Sequence, residues 1–431
     1  MTLPPGPRFP RAVQTAVFMR FWPRAVAACR RRYGDIFTLR PAGLGTIVYL
    51  ADRADIKTVF AGDPAVYHAG EANSMLRGIL GDTSVLVVDG DVHRDRRRLM
   101  MAPFHRDPVA RLSPVMAEIA AANIAGWPVG RPFPVGPRMS ALTLEVILRT
   151  VIGASDPARL AALRRAMPKV LNLGPWGMLA VARPELQQRL PWRFLRRRLQ
   201  AADELLYAEI ADRRCDPNLA EREDVLAMLV RAADADGRTM DDRELRDQLM
   251  TLLAAGHDTT ATALSWALER LTRHPAVLAK AVQAAREDDD EYLDAVAKET
   301  LRIRPVVFDV GRKLTAPIEL HGYRLPAGVM VAPGIGLVHA DPAVYDHPQS
   351  FDPDRMVGAT LSPTTWLPFG GGNRRCLGAG FAQTEMRVVL KEVLRRVDLA
   401  TTTEPGERQR VRGVVLEPHR GARVTVQNRT G

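Results

Sequence analysis

Cysteine is scarce in this chain: Cys29, Cys215 and Cys376 are the only three among 431 residues. An odd, widely spaced set cannot build a disulfide framework, so the thiols read as reduced and any special one acts alone. Aromatic residues make up 6%, and with no aromatic–basic repeat and no zinc motif the chain is not expected to bind nucleic acid. No uncharged apolar run approaches the roughly 18 residues that a membrane span needs. The start, MTLPPGPRFPRAVQ, lacks the short apolar core of a secretory signal. These absences predict a soluble, cytoplasmic protein without a membrane span. Acidic residues are in the minority, 49 against 60 Lys and Arg, for a net charge of +11. Such a surplus fits nucleic acid, an acidic lipid surface, an acidic protein partner, or an Arg-rich surface with no partner.

What is present is ordinary globular material, 46% apolar and 25% charged, enough to bury a large core. Prolines 4, 5, 7, 10 and 23 predict an irregular lead-in over residues 1–25. Asp35–Leu39 and Thr46–Leu50, separated by Pro41 and two glycines, read as a β-hairpin. Helical periodicity dominates from Val109 to His274, and the longest helix, about Asp241–Arg273, starts at an Asp pair able to cap it. A second helix ends near Arg304-Pro305. Short strands then return at Ile318–His321 and Val329–Ala332, followed by a helix over Ala379–Arg396 and a last hairpin near Val411–Gln427. The fold class is mainly α with small β-sheets (α+β) around a long central helix.

The most informative segment is Phe369-Gly-Gly-Gly-Asn-Arg-Arg-Cys-Leu-Gly378. Consecutive glycines let backbone N–H groups close around an anion, and a thiolate is such an anion. Neighbouring amides, the N-terminus of the following helix and Arg374 would favour deprotonated Cys376, the form that binds metal. With no second cysteine or histidine nearby zinc is disfavoured, whereas a single axial thiolate on haem iron fits. The plainer reading is a Gly-rich turn around a buried thiol. This run resembles the haem-thiolate signature of the cytochromes P450, Phe-x-x-Gly-x-Arg-x-Cys-x-Gly, at Phe369, Gly372, Arg374, Cys376 and Gly378. The resemblance implies haem b (iron protoporphyrin IX), with Cys376 as axial ligand, Phe369 near the sulfur and Arg374 at a propionate.

Three further runs resemble the family's other signatures, in its order. Ala255-Gly-His-Asp-Thr-Thr260 is similar to the acid–alcohol motif of the long helix, implying that Thr259 orients protons at bound dioxygen and Asp258 relays them. Gly and Thr in mid-helix predict a distortion there. The plainer reading is a Thr bonded back to its own helix and an exposed Asp. Glu299-Thr-Leu-Arg302 is similar to Glu-x-x-Arg, which with Arg355 implies a buried structural cluster behind the cysteine loop. His93 and Arg97, one helical turn apart, resemble the early His-x-x-x-Arg, implying with Arg312 and Arg374 a cradle for two propionates. Arg94, Arg96 and Arg98 read as a solvated basic face.

Across residues 33–426 the resemblance, notably to actinobacterial members, implies a single domain over 1–431. It implies a monooxygenase that inserts one atom of O2 into a lipophilic small molecule. No flavin or ferredoxin domain is readable, so electrons are expected from a separate ferredoxin and ferredoxin reductase, the ferredoxin steered by basic charge. Family positions facing substrate fall on Leu252, Ala255, Val307, Phe308 and Val415, which are apolar. Arg77 or Asp309 could anchor a polar group of the substrate, and the plainer reading of each is exposed or paired. Two other readings stand beside this one: a thiolate-haem peroxygenase or isomerase, and a non-enzymatic haem-binding protein.

Overall fold

The longest helix starts where an Asp pair predicts it. Asp241 accepts from the Glu244 N–H at 2.7 Å while Glu244 accepts from the Asp241 N–H at 3.0 Å, a reciprocal cap that opens the central helix Asp242–Leu271. Most of this helix from Glu244 onward is buried, the exceptions falling between Leu252 and Thr259, so it is packed on all sides for most of its length rather than laid on a surface. In the computed structural model, which describes residues 3–154, 156–173, 181, 192–234 and 237–430, four long helices make the most extensive packing against it. They are Gly136–Ile147, Arg193–Arg214, Asp290–Ile303 and Ala379–Arg396. Their apolar faces form one continuous core that includes Leu142, Ile147, Leu206, Leu264, Val296 and Leu390.

The strands, in chain order, are β1 (Ile36–Leu39), β2 (Ile47–Leu50), β3 (Tyr67–His68), β4 (Pro132–Pro134), β5 (Arg312–Leu314) and β6 (Ile318–Leu320). They continue with β7 (Tyr323–Leu325), β8 (Met330–Pro333), β9 (Val397–Leu399), β10 (Gln409–Arg412), β11 (Val415–Pro418) and β12 (Arg423–Arg429). The predicted hairpin is β1–β2, in register Ile36 to Leu50, and it anchors a five-stranded sheet of order β1-β2-β8-β5-β3. Two features differ from expectation. The last hairpin is only β10–β11; β12 leaves it to pair with β4 and β9, because Val424 and Val426 alternate into the main core.

The N-terminal segment is the second difference. Irregular chain ends at Pro10, and a helix runs from Arg11 to Tyr33. Pro10 occupies the cap, where a missing N–H costs nothing, and Pro23 is absorbed by a kink at Phe21 (φ −136°, ψ 23°). An inward stripe of Gln14, Phe18, Trp22 and Val26 at four-residue steps holds the helix against the β1–β2 sheet. That periodicity outweighed the prolines.

Candidate functional site

The glycine loop folds back on its own cysteine. The Cys376 N–H donates to the Phe369 carbonyl at 2.9 Å, and Gly370 and Gly372 take φ of 66° and 65°. A side chain at Gly372 would collide with the Phe60 carbonyl at 2.0 Å, so the loop is pressed onto the helix Arg53–Ala61. Phe369 sets its ring edge-on against Trp366, 5.7 Å between centroids. Gly378 caps the following helix, with open space where a Cβ would stand. The Cys376 side chain is reachable by solvent although protein crowds round it. Burial pushes its thiol up, while the Gly378 N–H, Arg97 and Arg375 pull it down. Arg374, expected at the sulfur, plays no part in this: the nearby cations are Arg97 and Arg375.

Arg374 belongs instead to a cationic cluster one step away. It donates to the Val85 and Val88 carbonyls at 3.1 and 2.6 Å and pairs with Asp89 at 2.5 Å. Asp89 also accepts from the Gly70 and Glu71 N–H groups, which fixes it. Burial, with Arg97 adding repulsion, lowers Arg374 to about 10; burial, with Arg374, lowers Arg312 to about 10. His93 is buried and pushed to about 3 by desolvation, then by Arg374, Arg97 and Arg312, so it is neutral. Three guanidiniums thus face one carboxylate, an excess of two positive charges in a partly dry site. Two further carboxylates on a bound group are what this cluster lacks, and the propionates of iron protoporphyrin IX are two.

The glutamate–arginine–arginine cluster is assembled. Arg302 grips Glu299 with two 2.7 Å bonds and spends its remaining donors on the carbonyls of His339, Pro348 and Ser350. Arg355 reaches Glu299 at 3.3 Å, and Glu299 and Arg302 are fully buried. His339 continues the chain: its Nε2 accepts from the Leu367 N–H at 2.8 Å, two residues before Phe369. Burial holds His339 at about 3, so the neutral ring can accept. Sequence reasoning missed this link.

On the central helix the expected distortion is absent: Ala255–Thr260 stays α-helical. Thr259 donates to the Ala255 carbonyl at 2.5 Å, the back-bonded arrangement. Asp258 is held by Arg412 at 3.2 and 3.3 Å, and that guanidinium also binds Glu417 and Asn172. His257, buried beside it, meets Ser140 and Thr143. Ala255 is exposed and Leu252, Ala254, Gly256, Asp258 and Thr259 around it are half-buried, so the central helix is incompletely covered at this turn.

Leu252 and Val307 are partly accessible with Ala255, whereas Phe308 and Val415 are buried. The Phe308 ring turns away to meet Trp22 and crowd Gly336, so this stretch offers Val307. Arg96 is also relocated: it is buried and paired with Glu244, leaving Arg94 and Arg98 on the surface with Asp91 and Asp95. Asp309 is half-buried, its carboxylate turned inward to accept from Tyr49 at 2.8 Å and Trp22 at 3.1 Å. A separate cleft of about 600 Å³, lined by residues including Glu118, Ser140 and Arg164, shares none of the predicted site residues. Among the described residues no cluster of three or more His, Cys, Asp or Glu could hold a bare metal ion. The donor set of one thiol and a cationic cradle fits haem.

A mainly helical body around one long helix, with a lone thiol on a glycine loop and a cationic cradle beside it, defines a haem-thiolate protein. The chain belongs to the cytochrome P450 family, whose model matches residues 3–425. It is 69% identical over 433 residues to the protein named cytochrome P450 135B1 of Mycobacterium tuberculosis, covering 99% of this chain and 92% of that one. To cytochrome P450 135A1 of the same species it is 41% identical, covering 100% and 96%. The solved structure of retinoic acid-bound cyanobacterial CYP120A1 superposes with a TM-score of 0.85 at 24% identity, covering 99% of both chains. Family and fold establish a cytochrome P450 monooxygenase that binds haem through a cysteine thiolate, uses O2 and needs an electron-transfer partner. No described helix is long and apolar enough to cross a membrane.

Proposed function

We propose that this chain, using Cys376 as the axial thiolate, oxygenates a lipophilic small molecule with electrons from a separate ferredoxin and ferredoxin reductase in the cytoplasm. The observation that carries the site assignment is the convergence of Cys376, on its glycine loop, with the unneutralised cluster of Arg97, Arg312 and Arg374. When bound, the haem supplies reductive activation of dioxygen: two electrons and two protons release one oxygen atom as water, and the other enters a C–H or double bond.

The chain supplies the rest. The Gly378 N–H, Arg97 and Arg375 work against the burial of the Cys376 sulfur and toward the thiolate, the form that would ligate haem iron. Arg97, Arg312 and Arg374 hold the two carboxylates, with neutral His93 able to donate one N–H to them. The Thr259 proton is committed to the Ala255 carbonyl, so its half-buried hydroxyl oxygen is left as an acceptor that can hold a protonated partner by its lone pairs. Asp258 takes protons from the side of Arg412, which is one-third exposed at 33%. Leu252, Ala255 and Val307 present apolar surface, which favours a lipophilic substrate. Arg94, Arg98 and Arg375 are exposed cations for an acidic ferredoxin.

The test is reconstitution of the haem-loaded protein with ferredoxin, reductase and 18O-labelled dioxygen, on lipophilic compounds that first shift its haem spectrum. One labelled oxygen per product molecule is expected. Turnover with peroxide but none with this electron chain would favour the peroxygenase reading.

A further inference from the structure

His257 is a buried titratable side chain with no part in holding haem or substrate. Its place is set by Gly256, where a Cβ would meet Ile147 Cδ1 at 2.7 Å. The helix Gly136–Ile147 therefore lies tight on the central helix, and its Ser140 and Thr143 meet the imidazole. Ser140 Oγ stands 3.2 Å from Nε2, and Thr143 Oγ1 stands 3.1 Å from Nδ1. Thr143 has one proton to give, and two carbonyls can take it, those of His257 at 3.0 Å and Ser140 at 3.3 Å. With that proton spent the hydroxyl oxygen accepts from Nδ1, which leaves Nε2 bare. Nε2 faces Asp258 as well as Ser140, with the carboxylate Oδ1 3.6 Å away. Two lone-pair atoms so close favour a proton between them. Burial holds the imidazole below its usual range, with Asp258 acting against burial and Arg412 acting with it. His257 is thus neutral at rest and able to take a proton.

Ser140 connects this pair to water. It is half-buried and lines the cleft of about 600 Å³ bounded by the helices Ser113–Ala125, Gly136–Ile147 and Pro157–Leu171. Glu118 and Arg164, which also line it, are 66% and 47% exposed, so the cleft is open to solvent. The other side of Asp258 is held by Arg412, a guanidinium that keeps its own protons, so entry there depends on water alone. We propose that Ser140 and His257 form a second proton entry to Asp258, fed by water in this cleft. The Ser140 O–H bond breaks as its proton moves to Nε2, and a protonated water in the cleft restores the hydroxyl. The Nε2–H bond then breaks as an O–H bond forms on Asp258. The net transfer is one proton from water to the carboxylate, and His257 ends neutral. This entry depends on Asp258 being the proton carrier proposed above.

The experiment uses the full-length, haem-loaded protein and has two readouts. Imidazole 15N resonances of the reduced carbon monoxide complex, with His257 assigned by its loss in His257→Gln, report the tautomer. Hydrogen on Nδ1 is expected, with a titration midpoint that falls in Asp258→Asn. Electron-driven oxygen consumption should fall about threefold or more in His257→Gln, which keeps hydrogen bonds but takes no proton. Adding His257→Gln to Asp258→Asn should slow the enzyme no further, because both lie on one path. Ser140→Val, at the cleft, repeats the rate test should His257→Gln fail to hold haem. The proposal is overturned by hydrogen on Nε2, by a midpoint that Asp258→Asn leaves unmoved, or by losses that multiply in the double variant. A wild-type rate in His257→Gln, or in Ser140→Val where it stands in, also overturns it. If Asp258→Asn is slow in that case, only the second entry falls; if Asp258→Asn is as fast as wild type, Asp258 leaves the proton path and the entry falls with it.

Discussion

Arg412, on the C-terminal hairpin, grips the carboxylate of Asp258, on the central helix, through contacts at 3.2 and 3.3 Å. The acid assigned to proton relay is therefore tied to an element 154 residues away in sequence. Through Asn172 the same guanidinium also reaches the end of the helix Pro157–Leu171. Asp258→Asn keeps the shape and removes the proton carrier. Electron-driven oxygen consumption by the reconstituted enzyme should slow by about tenfold or more, with the haem spectrum unchanged. An unaltered rate would remove Asp258 from the proton path.

Arg302 satisfies Glu299 and three backbone carbonyls from a fully buried position. Arg302→Met leaves Glu299 with Arg355 and the Asp352 N–H and strips those carbonyls of their donor. The expected loss is about 3–5 kcal/mol of stability, read as a lower urea midpoint together with reduced haem retention. A variant that melts like wild type would show the cluster to be dispensable.

Asp309 gives a pH signature. Burial raises its carboxyl to about 7, partly offset by the bonds from Tyr49 and Trp22. A carboxyl raised on folding contributes stability that is fully present below its unfolded value near 3.8 and is lost as pH rises through about 7. Relative to Asp309→Asn, wild type should lose about 3 kcal/mol between pH 4 and pH 7. Denaturant melts across that range decide it, and parallel curves for the two proteins would refute the assignment.

Sequence patterns located what depends on local chemistry. The Asp241 cap, the β1–β2 hairpin, the glycine loop and Glu299–Arg302 all rest on residues close together in the chain, and the structure has each in place. What escaped depends on long-range packing. Asp309, read as exposed or paired, is paired, but its partners lie 260 and 287 residues away and the apolar run Val306-Val-Phe-Asp-Val310 does not name them. His339 works through a ring nitrogen that no local pattern reveals. The first helix was obscured by its prolines, although Gln14, Phe18, Trp22 and Val26 already carried a four-residue period.

Glu385 was legible in the same way: it follows Phe381 by four and precedes Val389 by four, on the inward face of its helix. It is fully buried, and neither oxygen meets a hydrogen-bond donor among the described residues. Burial raises its carboxyl far above the usual range, so it folds protonated and costs stability as pH rises above its unfolded value. Glu385→Gln has the same shape and no charge. It should raise Tm by at least about 2 °C at pH 8 and less at pH 5. A fall in Tm at both values would indicate that the acid has a partner of its own.

The central claim is that Cys376 is the thiolate that holds haem iron. The absorption spectrum of the dithionite-reduced protein with carbon monoxide, in wild type and in Cys376→Ser, tests it most directly. A strongly red-shifted haem band in wild type that vanishes in the variant is the predicted result. A folded, haem-replete wild type without that band, or a variant that keeps it, would contradict the assignment.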